Sequence, residues 1–155
     1  MKLKTINPKD LEGKRVLLRV DLDIPVEQGV IQKGLVRFES ALGTIRQLQE
    51  AGARTVVIGH RGRPEGVDVS LSVEPVAQAL MAKLPTGTAR FVSLANASDV
   101  VAQTHTMAKG DVLILENLRF HPGERGNDPA FARQLAQLGD VYMNDAFGNC
   151  HRDHA

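Results

Sequence analysis

Arg54-Thr55-Val56-Val57-Ile58-Gly59-His60-Arg61-Gly62-Arg63-Pro64 is a short apolar run that breaks abruptly into a polar loop rich in arginine and punctuated by glycine and proline. The run lacks the alternation of a half-buried strand, so it reads as a strand buried on both faces. Four more segments read the same way: Arg15-Val16-Leu17-Leu18-Arg19-Val20, Arg90-Phe91-Val92-Ser93-Leu94, Asp111-Val112-Leu113-Ile114-Leu115 and Asp140-Val141-Tyr142-Met143-Asn144. Between them lie stretches of helical period. Ser72 stands as an N-cap before Val73, Val76, Ala77, Leu80, Met81 and Leu84. Asp128 and Pro129 open a second helix through Phe131, Leu135 and Leu138, with Gly139 as its stop. Ala41, Leu42, Ile45 and Leu48 mark a third, ending at Ala51-Gly52, and Ser98 through Lys109-Gly110 a fourth. Strands alternating with helices predict an α/β fold with a parallel sheet.

The chain has 155 residues, 43% of them hydrophobic, enough for one core and one domain spanning 1–155. Its 19 basic and 18 acidic residues leave a formal charge of +1, so no global field favours nucleic acid or an anionic membrane. Any basic site must be local. Cys150 is the single cysteine, which excludes an internal disulfide framework and suits a reducing compartment. The segment Met1 to Pro8 lacks the apolar stretch of a secretory signal, and no run is long enough to cross a bilayer, so the expected location is the cytoplasm. Only a dozen or so residues follow Asn144, with no recognisable crossover helix, so the sheet is expected to lack its last strand.

In an open parallel sheet, ligands bind at the carboxyl ends of the strands. The loops there begin at Asp21, His60, Glu116 and Asp145, and they bring His60, Arg63, Arg119 and Arg152 to one edge. Guanidinium forks match phosphate and carboxylate oxygens bidentately. Each such bond contributes about 1.5–3 kcal/mol net, so several are needed to offset dehydration of a phosphate. One arginine would read as a solvated cation; three arginines and a histidine in equivalent loops read as an anion site. His151 and His154 have a ligand-like spacing, but no third ligand presents itself and Arg152 would repel a cation, so no metal is expected. His105 reads as a surface residue, and His121, before Pro122-Gly123, as a structural one. No GxxxxGK[ST] loop, GxGxxG turn or GxSxG elbow is present.

Four motifs in order resemble those of the phosphoglycerate kinase family. Arg19-Val20-Asp21-Leu22-Asp23-Ile24-Pro25 is similar to RVDxNVP, and Gly59-His60-Arg61-Gly62-Arg63-Pro64 to SHLGRP. Leu115-Glu116-Asn117-Leu118-Arg119-Phe120-His121-Pro122 matches LENLRFHP letter for letter, and Asp145 through Ala155 resembles DAFGTAHRAHA. The resemblance covers essentially the whole chain, as the N-terminal domain of such a kinase. It implies a three-layer α/β/α sandwich with a Rossmann-like parallel sheet of six strands. It implies further that Asp21 bonds the glycerate hydroxyl, that Asp23 stands beside the substrate carboxylate, and that His60, Arg63, Arg119 and Arg152 hold the phosphate end. Arg37 aligns with the arginine that neutralises the phosphoryl group in flight.

The reaction so implied moves phosphate between 1,3-bisphosphoglycerate and ADP, giving 3-phosphoglycerate and ATP in glycolysis. No cofactor is expected on this chain, because the family carries Mg-ATP or Mg-ADP on a C-terminal nucleotide-binding domain that has no counterpart here. The chain alone is therefore expected to be inactive. Asp23 stands where the family has asparagine, Arg61 replaces a leucine, Asn149-Cys150 replace Thr-Ala, and Asp153 replaces an alanine. Lys33-Gly34-Leu35-Val36 replaces an acidic, threonine-containing approach to Arg37. These departures keep open a stand-alone phosphometabolite-binding or interaction module without kinase activity. An unpaired sheet edge would also leave a surface for self-association.

Overall fold

Each of the five apolar runs forms a strand, and all five join one parallel sheet in the computed structural model, which describes residues 6–31, 36–93 and 97–149. The strands are β1 (Arg15–Arg19), β4 (Arg54–Ile58), β5 (Ala89–Val92), β6 (Val112–Leu115) and β7 (Val141–Asn144), in the order β5-β6-β4-β1-β7. Parallel register pairs Leu17 with Val56 and with Tyr142, and Val56 with Leu113. Leu94, expected in the third run, lies outside the described residues.

The continuous apolar runs follow from burial on both faces. Val16, Leu18, Val57, Val112 and Ile114 pack with α1 (Val36–Glu50) and α2 (Glu74–Met81) through Ala41, Leu42, Ile45, Leu48, Val76 and Leu80. Their sequence neighbours Leu17, Val56, Ile58, Leu113 and Leu115 point the other way. There they meet Val100 of α3 (Ala97–Thr106), Met107, and Phe131 and Leu135 of α5 (Pro129–Ala136). The result is the three-layer α/β/α sandwich. Full burial of each such leucine or isoleucine contributes roughly 1.5–3 kcal/mol, which makes these two clusters the main stabilising term.

Three helix ends differ from the sequence expectation, one of them the C-terminus of α3, which closes at Thr106 rather than at Lys109-Gly110. α2 begins at Glu74 with Val73 at the cap position, yet the Ser72 hydroxyl still accepts the Glu74 amide at 3.1 Å. That hydroxyl also donates to Glu116 Oε2 at 2.7 Å, and Glu116 Oε1 takes the Val73 amide at 2.9 Å, so cap duty is shared across the fold. In α5 the Asp128 carboxylate accepts the Ala130 amide at 2.8 Å, as its N-cap pattern predicts. The helix closes at Ala136, however, before Gly139. Gly139 serves a close approach instead, since a Cβ there would sit 2.8 Å from the Leu17 amide nitrogen.

A small hairpin, β2 (Val26–Glu27) and β3 (Val30–Ile31), was not expected. Its turn puts Gln28 in the left-handed region at φ 50°, a conformation glutamine rarely advertises in sequence. More consequential is the divergence at β4 and β6. These neighbours send their outgoing chains to opposite faces, β4 toward α2 and β6 toward α5. A crevice opens where adjacent connections part in this way.

Candidate functional site

Three loops meet over that crevice, and hydrogen bonds between side chains and backbone groups lock them together. Gly59, at the end of β4, lies so close to the β1 loop that a Cβ would fall 2.8 Å from the Val20 carbonyl and 2.7 Å from Leu22. Only glycine admits that approach. Asp21 bends back to accept the Asp23 amide at 3.1 Å, and Asp23 Oδ1 accepts the Gly62 amide at 2.9 Å, tying the first loop to the second.

Asn117 ties the second loop to the third. Buried beneath both, it accepts from the amides of Arg61 and Arg119 at 3.2 and 3.1 Å. Its amide nitrogen donates to the Arg61 and Leu71 carbonyls at 2.7 and 2.8 Å. Glu116, beside it, holds Ser72, Val73 and the Asn117 amide. Much of the Leu115–Pro122 motif thus builds the loop frame.

A polar cavity of about 140 Å³ sits on this frame, lined by Asp21, Asp23, Arg37, His60, Arg63, Arg119 and Gly148. Six of the seven predicted site residues therefore come together, while Arg152 lies outside the described residues, as do Cys150, His151 and His154. Arg37 reaches in from the first turn of α1, with Nε 3.2 Å from Asp21 Oδ2 and a donor bond of 2.8 Å to the Asp23 carbonyl. It stays 56% exposed. Arg63 is exposed and makes no hydrogen bond or ion pair with a described residue.

Arg119 faces the cavity from a buried position. It donates from one terminal nitrogen to the Gly62 carbonyl at 2.7 Å, and its Nε lies 3.3 Å from Glu124 Oε2. The other Glu124 oxygen takes Arg19 at 2.7 Å, and the Glu124 side chain is fully buried. His60 is 4% exposed, and its Nδ1 has no hydrogen-bond partner among the described residues. Burial and the Arg119 charge push its pKa down to about 4, against the opposing fields of Glu124 and Asp23. A neutral imidazole, three guanidinium groups and two carboxylates suit a small oxyanion carrying hydroxyls.

Sequence reasoning did not single out Arg19, Glu124 or the structural role of Asn117. Arg19 offered one usable signal, since a charged residue closing a strand buried on both faces requires a partner. Glu124, in Pro122-Gly123-Glu124-Arg125, carries no local pattern that sets it apart from a solvated turn residue. Arg61 turns away from the cavity, donating to the carbonyls of Ile24, Ser70 and Ser72. His121 is structural, as expected: it accepts the Gly123 amide at 3.0 Å and stacks on Phe131 with ring centroids 4.0 Å apart. His105 is exposed, in line with its reading as a surface residue. Among the described residues, no three or more His, Cys, Asp or Glu side chains are grouped to hold a metal, and no helix is long and apolar enough to cross a membrane.

Known proteins share this sequence and fold. A curated phosphoglycerate kinase of Thermosynechococcus vestitus is 48% identical over 150 residues, covering 97% of this chain and 37% of the relative. The solved structure of phosphoglycerate kinase from Coxiella burnetii superposes with a TM-score of 0.79 at 32% identity, over 93% of this chain and 35% of the other. That from Pyrococcus horikoshii superposes with a TM-score of 0.77 at 32% identity, over 93% and 36%. The chain thus spans somewhat over a third of the length of the relatives it matches. The sequence model described as phosphoglycerate kinase matches residues 6–155, which include the β1, β4 and β6 loops that wall the cavity, and the chain belongs to the phosphoglycerate kinase family.

Proposed function

We propose that this chain is the acceptor-substrate half of a phosphoglycerate kinase. It would hold 3-phosphoglycerate or 1,3-bisphosphoglycerate while phosphate passes to or from a nucleotide bound by a second domain, in cytoplasmic glycolysis. The observation that carries this reading is the convergence of Asp21, Asp23, Arg37, His60, Arg63 and Arg119 on one small polar cavity.

In this reading the substrate needs no general base, because the accepting carboxylate is already ionised at neutral pH. The work left to the protein is placement and charge neutralisation. Asp21 would take the glycerate hydroxyl, and Arg63, Arg119 and His60 the phosphate end, with Arg152 joining them. Arg37 would turn to the phosphoryl group in transfer and act as the catalytic residue. Its present ion pair to Asp21 is half-exposed. Such pairs are worth only about 0–1 kcal/mol, so a phosphoryl oxygen can displace the carboxylate.

Magnesium does not fit this donor set. The two cavity carboxylates are each engaged, Asp21 with Arg37 and Asp23 with the Gly62 amide, and three arginines would repel a divalent cation. Metal and nucleotide therefore belong to the second domain in this scheme, and no activity is expected from the chain alone.

Isothermal titration with 3-phosphoglycerate and, separately, with ATP tests the reading. Saturable binding of 3-phosphoglycerate at one site is expected. Saturable binding of ATP with none of 3-phosphoglycerate would overturn it.

A further inference from the structure

We propose that Glu124 is a positioning residue, a buried carboxylate that aims Arg119 at the cavity and sets the affinity for the phosphate end of the ligand. The inference rests on the reading of the cavity under Proposed function.

Glu124 lies in α4 (Pro122–Arg125), a single turn of four residues. That turn is clamped. His121 caps it through the Gly123 amide and stacks on Phe131 of α5, and a Cβ on Gly123 would meet His121 Nδ1 and Phe131 Cβ at 2.9 Å. The turn therefore has little room to shift, and the Glu124 carboxylate is fixed between Arg19 of β1 at 2.7 Å and Arg119 at 3.3 Å. Arg119 is held at a second point by the Gly62 carbonyl. Two anchors in the plane of a guanidinium fix both its position and its tilt.

A fully buried carboxylate between two buried arginines is an inefficient way to stabilise a fold, because desolvation of the three charges offsets most of their attraction. Its use here lies in orientation. Left unanchored, an arginine carries several rotatable bonds whose freedom must be lost on each binding event. With Glu124 in place that ordering is complete before the ligand arrives, the preorganisation that favours tight anion binding.

The chain labelled with 15N at arginine supplies the test, through the Arg119 Nε–H resonance, assigned by its disappearance in R119K. In the wild-type chain this proton is expected to exchange slowly, because Arg119 is buried and held at Nε by Glu124. Because E124Q removes the charge that both buried guanidinium groups contact and can unfold the chain, E124D is the second variant, with melting curves to establish folding. E124D keeps the charge but withdraws it by one methylene. The expected result is faster exchange at Arg119 Nε–H and about a fivefold to tenfold weaker binding of 3-phosphoglycerate. In the R119K background the same change is expected to weaken binding less than about twofold, since the coupling runs through Arg119.

An unchanged Nε–H resonance in folded E124D, or equal losses in both backgrounds, would overturn the proposal. If the wild-type chain binds no 3-phosphoglycerate, the functional reading fails on its own. The Nε–H exchange then still decides whether Glu124 holds Arg119.

Discussion

Replacing Asp23 with asparagine removes a negative charge from the cavity wall while leaving its size and its main anchor in place. Asp23 Oδ1 accepts the Gly62 amide at 2.9 Å, and an asparagine carbonyl oxygen can accept the same bond. Loop geometry should therefore persist, so the change isolates the charge. A cavity of about 140 Å³, taken as a sphere, is roughly 6 Å across, which bounds the separation between this carboxylate and a bound anion. At about 6 Å a pair of unit charges repels by roughly 0.7 kcal/mol at a dielectric constant of about 80, and by roughly 2.8 kcal/mol at about 20. Asp23 is half-buried, which places the net effect near 1 kcal/mol, or about a fivefold gain in affinity. Calorimetric titration of wild type and D23N with 3-phosphoglycerate, at low and at raised ionic strength, measures it. The gain should shrink as salt rises, because the cavity is open to solvent. Equal or weaker binding by folded D23N at low salt would refute the electrostatic argument and make the carboxylate a favourable contact.

Two further outcomes follow from the frame around the cavity. His60 has a folded-state pKa of about 4, below its ordinary 6.5, so the unfolded chain takes up the proton first as pH falls. The stability involved is whole above about pH 6.5 and is lost between there and about 4, up to about 3 kcal/mol. Denaturant melts across this range should show that loss, and H60Q should flatten it; an equally steep profile in H60Q would remove His60 as its source. Asn117→Ala leaves two backbone amides and two carbonyls without their partner, at a cost of about 2–4 kcal/mol. Urea unfolding would register this as a lower midpoint with an unchanged slope, and a midpoint within error of wild type would refute the role given to Asn117 as the loop tie.

How far the sequence could be read depended on whether a residue's partner was local. Strands buried on both faces leave unbroken apolar runs such as Val16-Leu17-Leu18, and caps such as Asp128 act two residues away, so the parallel sheet and α5 were legible in the chain. Arginine and histidine at strand ends pointed to the candidate cavity for the same reason, since parallel topology alone sends those ends to one edge. Gly139 misled because a glycine near a helix end usually stops it, whereas here it lies against β1, which no local pattern encodes.

What only the tertiary structure decided is which charges face the cavity and which serve the frame. Arg61 and Arg63 are two residues apart in one loop, yet the first spends its donors on three carbonyls while the second stands open at the cavity. Arg19 and Arg119 lie 100 positions apart and share one buried carboxylate. Sequence determined that several cations would gather at one sheet edge, because strand order and loop position follow from local patterns. Their division of labour rests on contacts between β1, the β4 loop and α4, where distances of a few ångströms in a low-dielectric interior decide which charge is paired.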